Sequence, residues 1–225
     1  MTQIISDSFG QIGELTLDAK RPLLIVDADE VLFLFLQGLE RFIARRDLYL
    51  DLKSFALTGN IKQRADDTPL SGLEVKALLA DFFVTETEHL DPAPGAADAL
   101  RHLSQHAQII ILSNVPPAQR PARIAGLARC DMAYPVIANE GAKGPAIAAL
   151  AKRVNGPIVF VDDLPPNLQS AADNAPHTIR LHMVADPRLR LLIPKAPAAH
   201  ARHDDWPDAL PFIQNALTQG LVATP

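Results

Sequence analysis

Short, unbroken apolar runs recur along the chain, with helical patterns between them. Leu23-Leu24-Ile25-Val26, entered through Arg21-Pro22, is too short for a helix and has no polar face. Such a run is expected of a strand covered on both faces of a parallel sheet. Residues 108–112, 134–137 and 158–161 have the same character, and 178–181 is a weaker fifth run. The intervening segments carry helix starts: Gly144-Pro145 ahead of 146–154, and Pro165-Pro166 ahead of 167–172. In both, proline falls in the first helical turn, where its missing N–H costs nothing. The alternation predicts an α/β fold, a doubly wound (Rossmann-like) parallel sheet with right-handed crossovers.

One interval breaks the rhythm. Some eighty residues separate the first run from the second, far more than one crossover helix needs. Apolar positions at helical spacing run from Phe33 to Arg46, and Ser71-Gly72-Leu73-Glu74 reads as a capping box opening a helix through Phe83. A small α-helical cap is therefore expected at 36–87, inserted into a core made of 1–35 and 88–225. Asp91-Pro92-Ala93-Pro94-Gly95 is the expected return hinge ahead of a helix from Ala96 to His106.

Composition narrows the classes of function. With 225 residues, 48% of them hydrophobic, the chain suits one buried α/β core plus a small insert. A net charge of -5 offers no long-range attraction to phosphate backbones, so nucleic acid is not an expected partner. Cys130 is the only cysteine, which leaves oxygen or imidazole as metal ligands. There is no leader-like start and no apolar stretch long enough to span a bilayer, so a cytoplasmic protein without a membrane partner is expected, as a monomer or homodimer.

In an open parallel sheet, ligands bind beyond the carboxyl ends of the strands. The residues there are polar: Asp27-Ala28-Asp29 after the first run, Ser113-Asn114 after the second, Lys143 after the third and Asp162-Asp163 after the fourth. Carboxylates gathered at one edge repel one another unless a cation sits among them, and oxygen ligands favour Mg2+. Lys143, with the hydroxyl and amides around Ser113, supplies the charge and donors that a phosphoryl group needs.

These residues resemble the motifs of the haloacid-dehalogenase-like hydrolase superfamily. Residues 23–31, with Asp27 and Asp29, are similar to its first motif, Ser113 to the second, Lys143 to the third, and Val161-Asp162-Asp163 with Asn167 to the acidic fourth. The resemblance covers nearly the whole chain, with the insert between motifs one and two. It implies a Mg2+-dependent phosphatase acting on a small phosphorylated metabolite. Asp27 would be the nucleophile and Asp29 the general acid and base. Mg2+ would be held by Asp27, the backbone carbonyl of Asp29 and Asp163, with Asp162 a second ligand or an outer partner. Ser113, Asn114 and Lys143 would hold the phosphoryl group. Glu30 departs from the pattern, standing where the superfamily commonly has glycine, and either points away from the metal or adds repulsion at the entrance.

Each motif has a plainer reading. An isolated Asp-x-Asp is usually a loop or helix cap, and an isolated Lys143 a solvated lysine; their order along the chain carries the chemistry. His102 and His106 are read as a solvated helix face, and His200, His203, Asp204 and Asp205 as a surface loop. In the cap, Lys62 and Arg64 are candidate contacts to an anionic substrate, weighed evenly against an ordinary polar loop. A phosphotransferase or phosphomutase would share every core residue. A dehalogenase would need neither Asp29 nor the metal, and a non-catalytic binding protein would retain only the fold.

Overall fold

The computed structural model describes residues 7–219, so the outermost ends of the expected core lie outside it. The first elements are α1 (Ser8–Glu14), β1 (Leu23–Val26), α2 (Phe35–Ala44), β2 (Leu48–Leu50), β3 (Ile61–Gln63), α3 (Gly72–Glu86) and α4 (Ala96–Leu103). Then come β4 (Gln108–Ser113), α5 (Arg120–Arg129), β5 (Val136–Ala138), α6 (Gly144–Ala151), β6 (Ile158–Asp162) and α7 (Pro165–Asn174). The chain continues through β7 (Ile179–His182), α8 (Pro187–Arg190), β8 (Ala201–Arg202) and α9 (Trp206–Gln219).

Among the described residues six strands form one parallel sheet in the order β5-β4-β1-β6-β7-β8, the doubly wound arrangement expected from the apolar runs. The runs are apolar throughout because helices cover both faces. Leu24 and Val26 join Ile109, Ile111, Val159 and Val161 in a cluster on one side. Leu23 and Ile25 join Ile110, Leu112, Ile158 and Phe160 on the other. Each strand thus buries alternate residues in opposite directions, and neither face can be polar. No helix is long and apolar enough to cross a membrane among the described residues.

Between β1 and β4 the chain builds the insert. α2 and α3 are helical as expected, and Ser71 and Glu74 close a reciprocal capping box at the start of α3. Between these helices, however, β2 and β3 pair as an antiparallel hairpin, in a stretch expected to be helical cap and loop. Strands this short carry too few residues to show a period. Phe42, Ile43, Val75, Leu78 and Phe82 of the insert belong to the same apolar cluster as one face of the sheet. The insert is therefore seated on the core by hydrophobic burial.

Two helices that flank the site lie unusually close together. A Cβ on Gly144, the first residue of α6, would stand 2.1 Å from the carbonyl oxygen of Ser170 in α7. Gly144 N–H also donates to the Ser170 hydroxyl at 3.1 Å. This approach carries Lys143 toward the loop between β6 and α7. Gly144→Ala is expected to cost about 1–3 kcal/mol by forcing the helices apart, read as a lowered midpoint in thermal denaturation. An unchanged midpoint would show that the contact yields freely.

Candidate active site

Register brings the candidate residues together. Val26 is level with Val161 of β6, so Asp27 and Asp162 leave neighbouring strands side by side, and Asp27 N–H continues the ladder to the Val161 carbonyl at 2.9 Å. Asp27 Oδ1 accepts from the Ala28 N–H at 2.7 Å and pairs with Lys143 Nζ at 2.6 Å. Its Oδ2 has no partner among the described hydrogen bonds. Lys143 is buried and also bonds Asp162 Oδ2 at 2.7 Å. Burial opposes its charge, but the Asp162 and Asp27 carboxylates hold the ammonium above its ordinary pKa.

The two adjacent aspartates of the fourth motif differ in what they have left to offer. Asp162 is fully engaged: besides Lys143, it accepts from the Leu164 N–H at 2.9 Å and from Asn167 Nδ2 at 3.0 Å. Among the described residues the Asp163 carboxylate has no hydrogen-bond partner, and it lines a cavity with Asp27. Burial, and then the charges of Asp162, Asp27 and Glu30, drive its carboxyl pKa well above the ordinary value. The backbone of Asp163 is held by His182, a residue that the motifs did not single out. Buried His182 accepts from the Ala196 N–H through Nδ1 at 3.1 Å, so its Nε2 carries the proton donated to the Asp163 carbonyl at 2.9 Å.

Ser113 ends β4 with its hydroxyl buried and, among the described residues, unpartnered, an arrangement that costs about 1–3 kcal/mol unless a ligand satisfies it. Asn114 lines the cavity and is oriented by Asn139, whose Nδ2 donates to Asn114 Oδ1 at 2.8 Å.

Asp29 has an unexpected partner. Arg123 of α5 is completely buried and donates through Nη2 to both Asp29 oxygens, at 2.7 and 2.9 Å. Its Nε and Nη1 have no hydrogen-bond partner among the described residues, and its guanidinium lies 5.3 Å from the Phe33 ring centre. Burial pushes the Asp29 carboxyl pKa up, against the lowering pull of Arg123, while 21% of its side chain remains exposed at the cavity floor. In the sequence Arg123 looks like one more base on a polar helix. The available signal was its position three and four residues before Gly126 and Leu127, which share its buried face.

Glu30 is committed to main-chain donors. It adopts the left-handed conformation (φ 58°) that makes glycine common at such a position. Its carboxylate turns inward, accepting from Leu36 N–H at 2.6 Å and from Asp186 N–H at 3.0 Å. Leu34, the residue capping α2, makes no side-chain cap, so Glu30 supplies the anion at that helix start instead. Burial, only partly opposed by these bonds, pushes its pKa up to about 7.

A cavity of about 260 Å3 opens above these groups. Its floor carries Asp27, Asp29, Glu30, Asp163, Lys143, Asn114 and Asn167, and its wall Phe35, Leu36, Phe55, Leu57, Phe83 and Leu189. The structure does not bring the cap candidates Lys62 and Arg64 to it. Lys62 sits on the hairpin with Nζ bonded to Asp51 Oδ2 at 2.6 Å, and Arg64 lies 5.7 Å from the Tyr49 ring centre. Opposite charge and an aromatic face near at hand hold both on the hairpin. His102 bonds Gln214, and Asp204 pairs with Arg202. The one group with metal-binding spacing among the described residues is Asp27, Asp162 and Asp163, with an oxygen from each lying within 4.8 Å of the others.

No protein-family model and no curated protein matches the chain. Solved structures do resemble it. A haloacid-dehalogenase-family hydrolase from Deinococcus radiodurans R1, with bound phosphate and sodium, is 18% identical over 92% of this chain and 100% of that one, with a TM-score of 0.56. A haloacid dehalogenase-like protein from Agrobacterium tumefaciens is 14% identical over 85% and 96%, with a TM-score of 0.57. CbbY from Rhodobacter sphaeroides, in complex with phosphate, is 15% identical over 82% and 94%, with a TM-score of 0.51. At such identities the likeness establishes the fold, which is that of the haloacid-dehalogenase-like hydrolases.

Proposed function

We propose that the protein is a Mg2+-dependent phosphatase that hydrolyses a small phosphate monoester through an aspartyl-phosphate at Asp27. The observation that carries this reading is the state of the two carboxylates on the cavity floor. Asp27 has one oxygen held by Lys143 and the main chain and the other unpartnered, and Asp163 beside it is uncommitted.

The residues fit a hard divalent cation. A buried Asp163 carboxyl whose charge is disfavoured by Asp162 and Asp27 is the kind of group that such an ion relieves. Asp27, Asp163 and the Asp29 carbonyl would hold Mg2+, with Asp162 an outer partner because its oxygens are already bonded to Lys143, Leu164 and Asn167. Bound there, Mg2+ would offset carboxylate repulsion and draw charge from the phosphoryl oxygens.

The chain's own groups then divide the reaction. Asp27 Oδ2 attacks phosphorus as the bond to the leaving oxygen breaks, and Asp29 gives that oxygen its proton. Asp29 next takes a proton from water, which attacks phosphorus and restores Asp27. Lys143 steadies charge on Asp27, while the unpartnered Ser113 hydroxyl and Asn114 are suited to the phosphoryl oxygens. Transfer to another hydroxyl would use the same groups. Dehalogenation would leave Asp163 without a task and would not need a proton from Asp29, which favours phosphoryl chemistry.

Hydrolysis of an aryl phosphate in the presence of Mg2+ is expected to stop in excess chelator and to return when Mg2+ is restored. Full activity in chelator would overturn the mechanism.

A further inference from the structure

Resting on the phosphatase reading, we infer that the leaving group is uncharged and apolar, an aryl or alkyl alcohol with no second phosphate or carboxylate. The wall facing Asp27 and Asp29 is built from Phe35, Phe55, Leu57, Phe83 and Leu189, drawn from α2, the loop joining β2 to β3, α3 and α8. Phe35 and Phe83 stand with ring centres 6.0 Å apart, so part of the wall is an aromatic corner.

Charge supports the same conclusion. Among the described residues Lys143 is the one cationic residue lining the cavity, and it is already shared between Asp27 and Asp162. Arg123, behind Asp29, is committed to that carboxylate, and the cations on the surrounding elements are paired as well: Lys62 with Asp51, Arg45 with Glu86, and Arg188 with Glu40 and Asp186. A leaving group with its own anion would lose water against apolar walls and find no uncommitted cationic side chain beside the Asp29 carboxyl. A phenyl ring or short alkyl chain instead gains from burial against the same wall.

Two non-hydrolysable phosphonates separate these cases by calorimetry on the Mg2+-loaded protein, alongside turnover of the matching esters. Benzylphosphonate is expected to bind roughly tenfold or more tightly than phosphonoacetate. Benzyl phosphate is expected to exceed phosphoglycolate by a similar factor in kcat/KM. Leu57→Arg, at a half-buried wall position, is expected to reverse the ranking by giving a carboxylate its cation. Phosphonoacetate bound as tightly as benzylphosphonate overturns this inference, and turnover of either ester then leaves the phosphatase reading standing. Benzylphosphonate bound without turnover of any ester upholds the apolar subsite and overturns the phosphatase reading. Binding of neither phosphonate overturns both.

Discussion

Asp27→Asn is expected to lower kcat by a factor on the order of 10^4 or more while leaving the fold intact. Asparagine is nearly the size of aspartate, and its carbonyl oxygen can occupy the place of Oδ1, which accepts from the Ala28 N–H and lies 2.6 Å from Lys143 Nζ. Its amide nitrogen then falls where Oδ2 lies, a position with no hydrogen-bond partner to lose. Lys143 retains Asp162 as its counter-ion at 2.7 Å, so the buried ammonium is not stranded. What disappears is the anionic oxygen that attacks phosphorus. Steady-state hydrolysis of an aryl phosphate together with thermal denaturation checks both halves: turnover near that of the unaltered protein would refute the assignment of Asp27 as nucleophile.

At Asp29 the expected effect is double, because this residue faces substrate on one side and a buried arginine on the other. Arg123 is wholly enclosed, and Asp29 is its hydrogen-bonded counter-ion, with Nε and Nη1 already without partners. Removing one member of a buried pair typically costs about 3–5 kcal/mol. Asp29→Ala is therefore expected to lower both the melting temperature and activity. Asp29→Asn keeps an acceptor for Nη2 but removes the counter-charge of Arg123 and cannot deliver a proton, so it should lower the melting temperature less than Asp29→Ala does while losing roughly 10^2- to 10^4-fold in rate. The loss should be smaller for aryl phosphates than for alkyl phosphates, since an acidic leaving group needs little protonation. Arg123→Met in the Asp29→Ala background is expected to recover stability without activity. If Asp29→Asn slows aryl and alkyl esters equally in single turnover, Asp29 is not the general acid. If the double variant is no more stable than Asp29→Ala, the pair is not the source of the cost.

The parallel sheet was legible along the chain because a strand covered on both faces must be apolar at every position, and Leu23 to Val26 and Ile158 to Val161 are. The polar residues after those runs were legible for a related reason. A parallel sheet places the ends of its strands on one edge, so Asp27, Ser113, Lys143 and Asp162-Asp163 could be assigned to a common site without knowing a single distance. The capping box at Ser71 and Glu74 was readable because its partners are three residues apart.

What only the tertiary structure decided is which partner each polar group meets. Lys62 and Arg64 are basic and lie in the insert, but the hairpin gives Lys62 to Asp51 and sets Arg64 beside Tyr49, away from the cavity. Arg123, 94 residues from Asp29, reaches it because α5 packs beside the loop after β1. Glu30 closes the start of α2 through a bend that brings Leu36 and Asp186 to its two oxygens. The apolar wall is assembled from side chains spread between Phe35 and Leu189. Periodicity and caps are written between near neighbours, which any chain shows on its face. Ion pairs, buried donors and cavity walls are made by residues that meet only once the sheet and its insert have packed, since a charge's partner is set by distance in space and by the water excluded around it.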